Sequence, residues 1–279
     1  MKKTLITADA NCYFPSELFP DNVPVIQSEI KTDSGSFRES YEISSENILE
    51  YTVRKKAAPQ LISPTVEQYR SFFEKELKQA DTVCHLCCGS NIRDSYKNAS
   101  EAAASMKNVF VADSKQVGGG MLFQLIQAIK LAEEGFSPEF IIRSIDELDK
   151  HINSTYVSAD SNWLSYLGRI SQELATFLEL FELSPTITVR NGGIISGAVF
   201  RNGKDYYKMY IKKILKNKKN IDKSLLIISC PGIYNRNIDK YKNEVAKYVD
   251  FKQIAITDIS TKFVCRLGEN SLGLHFLTV

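Results

Sequence analysis

The chain is predicted to be an α/β protein of two domains, and three observations carry that prediction. Through residues 1–150, short apolar runs alternate with helix-length amphipathic segments, the pattern of a parallel sheet covered by helices. Beyond His151 the pattern changes to a hairpin signal followed by further strands, which implies a mixed or antiparallel sheet with helices. A length of 279 residues, with 43% hydrophobic and 24% charged side chains, suffices for two modest cores.

The runs Thr4 to Thr7, Thr82 to Leu86 and Val109 to Ala112 read as buried parallel strands. Val23 to Ile26 reads as a fourth, placed at an edge because Pro24 lacks a backbone donor. Helices are expected over Ser45 to Lys56, Thr65 to Gln79, Asp94 to Met106 and Gly120 to Glu134. The last breaks near Gly135–Pro138 and is expected to resume to Asn153. The result is a Rossmann-like domain, whose ligand crevice lies beyond the strand C-termini. Those ends carry Asp9-Ala10-Asn11, Cys88-Gly89-Ser90-Asn91, and Asp113-Ser114-Lys115 leading to Gly118-Gly119-Gly120. They are expected to meet at one site, with helix N-terminal amides favouring an anion. Their spacing fits neither a Walker A loop nor a dinucleotide fingerprint.

In the second half, Leu183 to Arg190 and Ile194 to Val199 flank Asn191-Gly192-Gly193, a hairpin turn sequence. Leu225 to Ser229, Gln253 to Thr257 and Leu274 to Val279 complete the predicted strands. The division is placed near His151, giving domains 1–150 and 151–279.

A net charge of +2 implies no general attraction to nucleic acid or anionic membrane. The lysines of Lys208 to Lys223 interleave with Met209, Ile211, Ile214 and Leu215 at helical spacing, as on a solvated helix face. The N-terminus turns polar before a signal-peptide core is reached, and no run approaches the ~20 apolar residues of a membrane span. A cytoplasmic, non-spanning protein is the expectation. Six cysteines fit that compartment as thiols. Cys84, Cys87 and Cys88 flank His85, which raises zinc or redox chemistry, yet Val83 to Cys88 reads as a buried strand where Cys packs as a small apolar residue. No metal or cofactor is predicted. Of the histidines, His85 and His275 fall in strands and His151 at the connection. None has an evident Ser or Cys partner in the sequence, so no catalysis is predicted.

Near the middle, Gly168-Arg169 interrupts two apolar helical segments within Trp163 to Ser171. A permanent cation there needs an anion or an exit to water; a helix end followed by a surface Arg reads equally well. Other segments stand in order around it: Thr7 to Pro15 (TADANCYFP), Gly35 to Ser44 (GSFRESYEIS), Ile62-Ser63-Pro64, and Gly89 to Tyr96 (GSNIRDSY). Asp113-Ser114-Lys115, Leu183-Ser184-Pro185, Arg201 and Gly268 to Gly273 (GENSLG) follow the same order. Taken together, the chain resembles the DegV family of bacterial fatty-acid-binding proteins over nearly its whole length.

The resemblance implies one long-chain fatty acid held between the domains, with its carboxylate at the loops of 1–150 and its tail in 151–279. It implies a carrier, not an enzyme, that presents the acid to a fatty acid kinase. The head-group residues it implies are Arg93, Arg266, Ser90, Asn91, Ser95, Gln60, Ser63 and Gly119. The acyl-tail residues are Trp163, Leu164, Ile170, Leu174, Phe177 and Leu178, although their spacing is also that of any buried helix. Arg169 and Arg201 would face the partner. Pro59 stands where the family has a carboxylate-binding Thr, Arg93 where it has a Ser, and Arg266 where it has a His. Two readings of these changes stay open: a two-arginine clamp on an anionic head group, or an Arg93 that pairs with Asp9 or Asp94 and fills the site. Burying ~14 methylenes of a C16 tail is worth roughly 11 kcal/mol gross. Two other functions are weighed: an enzyme acting on acylated substrates in the same crevice, and a degenerate member whose pocket has closed.

Overall fold

The computed structural model describes residues 4–19, 23–39, 41–160, 163, 165, 171–201, 205–216, 218–232 and 235–279. The first half is built on β1 (Thr4–Ala10), β2 (Val25–Gln27), β6 (Thr82–Cys87) and β7 (Val109–Asp113). They form one parallel sheet in the order β2-β1-β6-β7. β6 is buried at every residue, as its unbroken apolar run requires of a strand covered on both faces. The edge position of β2 agrees with Pro24 just before it.

The helices are α1 (Ser45–Lys55), α2 (Val66–Glu76), α3 (Ser95–Ala103), α4 (Gly119–Glu133) and α5 (Pro138–Asp149). Capping boxes start α1 and α2, pairing Ser44 with Asn47 and Thr65 with Gln68. Ser137 caps α5 with Pro138 in its first turn. The sequence pattern missed a small antiparallel sheet of β3 (Glu29–Thr32), β4 (Gly35–Arg38) and β5 (Gln60–Ile62), ordered β4-β3-β5. These strands are short and mostly exposed or half-buried, so they leave little hydrophobic alternation to read.

In the second half, β8 (Ile152–Ser158), β9 (Leu183–Arg190), β10 (Gly193–Arg201), β11 (Leu225–Cys230), β12 (Gln253–Asp258) and β13 (Ser271–Leu277) form one mixed sheet. Its order is β10-β9-β8-β13-β11-β12, with β11 and β12 parallel and the other neighbours antiparallel. Asn191 and Gly192 both take positive φ, 50° and 74°, at the β9–β10 turn, as a tight two-residue hairpin requires. The helices of this half are α6 (Gln172–Leu180), α7 (Tyr206–Lys216), α8 (Ile238–Ala246) and α9 (Thr261–Leu267). The expected helix to Asn153 ends at Asp149, and β8 starts at Ile152. β8 is a central strand, hydrogen-bonded to both β9 and β13.

Every strand of the parallel sheet precedes Ser114, and every strand of the mixed sheet follows His151. The core nevertheless joins the halves. Met121, Leu122 and Leu125 of α4 share one apolar cluster with Ile6 and Leu86 and with Leu225, Ile227 and Ala255. A second seam cluster sets Ile48, Leu49, Cys88, Ile92 and Val117 against Tyr156, Trp163, Val189, Ile259, Phe263 and Val264. No helix among the described residues is long and apolar enough to cross a membrane.

Candidate functional site

The loops at the C-terminal ends of β1, β6 and β7 meet, as the strand order demands. Gly89 N donates to Gln116 O at 2.9 Å, and Ser90 N to Asp113 Oδ1 at 3.0 Å. Gly118 N donates to Asn11 Oδ1 at 2.7 Å. Beneath them, Asp9 accepts from the Tyr69 hydroxyl at 2.6 Å and from Cys88 N at 2.8 Å, with His85 Nε2 3.3 Å away. Burial opposes the ionised form of Asp9, and the partners His85, Tyr69 and Cys88 outweigh it, holding its pKa below the ordinary 3.8. Asp9, His85 and Cys87 lie close enough for one metal ion to reach all three. Asp9 and His85 already engage each other, and Thr7 Oγ1 takes the other His85 nitrogen at 2.8 Å. This cluster braces the start of the loop at Cys88. All six cysteines are buried thiols.

A cavity of about 510 Å³ opens between three elements. The stretch around β5 supplies Ala58 to Ser63, the loop before α3 supplies Ile92, Arg93 and Asp94, and α9 supplies Thr261, Cys265 and Arg266; Asn98 of α3 completes the lining. Asn98 Nδ2 donates to Pro64 O at 2.8 Å, tying α3 to the β5 side. The loop turns back on itself where Ile92 N and Arg93 N both donate to Gly89 O. The cavity thus gathers Gln60, Ser63, Arg93 and Arg266, four residues singled out in the sequence for a head group.

Arg93 does not stand free in this cavity. Its Nη1 donates to Glu39 Oε2 at 2.5 Å and to Ser28 Oγ at 3.1 Å, and its Nη2 to Glu39 Oε1 at 2.7 Å. Burial works against the Arg93 charge, and the Glu39 carboxylate more than restores it, so its pKa is raised. The partner is Glu39, not Asp9 or Asp94 as the sequence suggested. Glu39 lies 54 positions away, directly after β4 of the small sheet that the sequence pattern missed. Among the described residues, Arg93 Nε has no hydrogen-bond partner. Arg266 is half-buried on the cavity wall.

The seam cluster adjoins this cavity, since Ile92 and Cys265 belong to both. Inside it, the Tyr156 ring stacks on Phe263 at 4.4 Å. Trp163 Nε1 donates to Cys265 O at 2.8 Å. A second cavity, of about 830 Å³, touches the same cluster through Leu49 and Trp163. Polar groups, apolar seam and second cavity are therefore contiguous.

A family model described as "Uncharacterised protein, DegV family" matches residues 3–279. The chain belongs to the DegV family. A DegV domain-containing protein of Staphylococcus aureus (strain N315) is 23% identical over 280 residues, covering 99% of this chain and 97% of the relative. A DegV family protein from Thermus thermophilus, described with fatty acid binding, superposes with a TM-score of 0.82 at 20% identity over 100% of both chains. DegV from Bacillus subtilis, described as a fatty acid binding protein, gives 0.78 at 19% identity, again over 100% of both chains. A DegV family protein from Eubacterium eligens loaded with heptadecanoic acid gives 0.80 at 18% identity, covering 99% of this chain and 100% of the other.

Within this DegV family member, the remaining residues singled out in the sequence separate. Ser90 and Asn91 are exposed on the loop and are not among the residues lining the first cavity. Asn91 abuts the hairpin turn, where a Cβ on Gly192 would sit 3.2 Å from its Nδ2. Ser95 is fully buried at the start of α3. Gly119 packs on the ring of His275, with 2.9 Å between an added Cβ and the ring Cγ. Trp163 and Leu178 are buried. Leu174 and Phe177 are 45% and 50% exposed, so they do not line an interior tunnel here. Helix α6 presents only Ala175 and Leu178 to the protein, and its apolar stripe is wider than the face it buries. Leu164, Arg169 and Ile170 lie outside the described residues. Arg201 is exposed at the end of β10.

The expectation that no histidine has a serine partner is corrected. His275 Nδ1 lies 2.9 Å from Ser154 Oγ, and its Nε2 lies 2.8 Å from Ser229 Oγ. These contacts span 121 and 46 positions, beyond the reach of any local motif. The sequence pattern also missed α9, although Phe263, Val264 and Leu267 recur at helical spacing there.

Proposed function

We propose that this protein is a non-catalytic carrier of one long-chain fatty acid, with the carboxylate in the first cavity and the acyl chain along the seam. The observation that carries the proposal is the cavity itself: Gln60, Ser63, Arg93 and Arg266 converge from three elements beside a contiguous apolar cluster. Arg266 and the polar groups of Gln60 and Ser63 suit a carboxylate. The cluster suits a chain whose burial contributes ~0.8 kcal/mol per methylene. The DegV proteins of Thermus thermophilus and Eubacterium eligens, described as fatty acid binding or loaded with heptadecanoic acid, support the same ligand class. In this reading residues 1–150 carry the head-group loops and residues 151–279 the tail region. The protein works in the cytoplasm and offers the carboxyl group to a fatty acid kinase that docks against Arg169 and Arg201.

The test is native mass spectrometry of the purified protein, followed by calorimetry of the delipidated form with palmitate. A retained acid and a 1:1 complex of micromolar or tighter affinity are expected. A protein that carries no lipid and binds no palmitate is the degenerate member with a closed pocket, and the proposal fails. One observation favours an enzyme acting on acylated substrates, the contact of Ser229 with His275. Both residues are fully buried, and burial pushes the His275 pKa down to about 3, far below what a general base near neutral pH needs. The carrier reading therefore stands ahead of it.

A further inference from the structure

We propose that the contact of Ser45 with Asp258 and Gly232 latches the two halves of the molecule together, and that the acyl chain enters and leaves where α1 parts from α9. The inference rests on the carrier reading above and goes beyond it to the route and control of ligand exchange.

The starting point is what covers the apolar seam. Ile48 and Leu49 of α1 share one cluster with Ile259, just before α9, and with Phe263 and Val264 within it. Ser45 lies on the same buried face of α1, one turn ahead of Ile48 and Leu49. Asp258 ends β12, directly before Ile259. Ser45 Oγ donates to Asp258 Oδ1 at 2.8 Å and accepts from Gly232 N at 3.0 Å, and Gly232 N also reaches Asp258 Oδ1 at 3.0 Å. These contacts join the halves across 213 and 187 positions. Apolar packing is non-directional, so this polar triangle fixes where α1 sits on the second half.

The latch carries a weakness of its own. Asp258 is half-buried. Burial raises its carboxyl pKa to about 6, against the hydrogen bonds from Ser45 and Gly232 that favour the charge. The Glu46 carboxylate adds to the rise. It lies 3.5 Å from the same Ser45 hydroxyl and covers Gly232, where an added Cβ would fall on its Oε1. Among the described residues no cation pairs with Asp258 or Glu46. The Cys12 and Cys230 thiols act on Asp258 from the loop after β1 and from the end of β11. Burial pushes both up to about 12, with the Asp258 charge adding to it, so both stay neutral. Thr257 beside Asp258 is engaged with Tyr13 O. Arg54, Arg236 and Glu50 share the second cavity's wall with Glu46, and the two arginines hold their charge at any pH of interest.

At neutral pH the closed seam therefore holds an ionised carboxylate that water would serve better. Parting α1 from α9 hydrates it and takes it away from Glu46, so its charge favours opening. A neutral Asp258 keeps the seam shut. In the open seam the carboxyl returns toward its ordinary 3.8. Opening then becomes easier as pH rises from about 4 to about 6, by up to about tenfold per unit, and changes no further above that.

Ligand exchange reads the latch, and Trp163, the chain's one tryptophan, reports it from inside the seam cluster. Stopped-flow fluorescence of Trp163 gives association and dissociation rates for hexadecyl sulfate, whose charge is constant with pH, and calorimetry gives its Kd. Palmitate, at about pH 7.5 alone, is the second ligand. Asp258→Asn keeps the acceptor and removes the charge; at about pH 7.5 both rates should fall about tenfold or more, with Kd within about twofold. Ser45→Ala removes the hydroxyl and should raise both rates, again with Kd unchanged. In the parent, both rates should climb about tenfold or more from about pH 4.5 to about pH 6.5, while Asp258→Asn stays flat. A merely structural role would lower affinity and stability without moving the two rates together. Asp258→Asn rates equal to the parent's at about pH 7.5 overturn the inference. So do parent rates that are flat with pH, or a folded Ser45→Ala protein that exchanges no faster. Binding with rates indifferent to these changes sinks this inference alone; a protein that binds neither hexadecyl sulfate nor palmitate sinks the carrier reading with it.

Discussion

Cutting the Arg93–Glu39 pair from one side should cost far more than removing it whole. In Glu39→Met, a guanidinium that is 1% exposed loses two charge-assisted hydrogen bonds of 2.5 and 2.7 Å and keeps only Ser28 Oγ at 3.1 Å. A buried charge left in that condition destabilises a fold by about 3–5 kcal/mol. Arg93→Met strands the carboxylate of Glu39, which is 0% exposed, and should cost a similar amount. The double variant replaces an ion pair with two apolar side chains of comparable length, and should lie within about 2 kcal/mol of the parent. The double-mutant cycle then yields a coupling of about 3 kcal/mol or more. Urea unfolding followed by circular dichroism measures each corner, with an unchanged denaturant slope as the check on two-state behaviour. The exposed i,i+4 pair Arg38–Glu42 is the internal control, and its cycle should show no coupling of that size. If each single variant loses less than about 1 kcal/mol, or the double loses the sum of the two, the pair is not the buried unit inferred here.

Arg266→Met should weaken palmitate binding about tenfold, the worth of a lost charge-assisted contact, and calorimetry on a folded variant reads it directly. Gly119→Ala should destabilise the protein by about 1–3 kcal/mol, because the added Cβ meets a His275 ring fixed at both nitrogens by Ser154 and Ser229; thermal unfolding with no loss of stability would show that the seam gives way. His275 stays neutral in the fold down to a pKa of about 3, while the unfolded chain protonates it near 6.5. Its contribution to stability is therefore present above about pH 6.5 and lost as pH falls below that, at about 1.4 kcal/mol per unit. Asp258 opposes this: burial raises its carboxyl pKa to about 6, so the folded state takes up that proton first and gains stability as pH falls from 6 toward its ordinary 3.8. Urea titrations from about pH 7 to about pH 4 should accordingly fall more steeply with acid in Asp258→Asn than in the parent; parallel curves would sink the assignment.

The apolar runs of β1, β6 and β7 and the spans of α1 and α2 were legible because each is decided within a few residues. Burial on both faces writes itself as an unbroken apolar strand, and an amphipathic helix as apolar residues at helical spacing. The hairpin turn at Asn191-Gly192 was legible for the same reason. The family's ordered motifs supplied what local patterns cannot, and the match over residues 3–279 agrees with them. The placement of Leu174 and Phe177 was not legible, since helical spacing marks an apolar stripe without saying how much of it finds a neighbour.

The chain by itself determined its alternating elements, its two unlike halves and the positions of its unusual arginines, all matters of local pattern. Only the tertiary structure decided what those arginines do. Glu39 reaches Arg93 across 54 positions because a small antiparallel sheet folds beside the parallel one, and Ser154 and Ser229 reach His275 because β8, β13 and β11 are neighbours. A buried charge takes whichever partner the topology brings within hydrogen-bonding distance, and that distance bears no relation to separation along the chain.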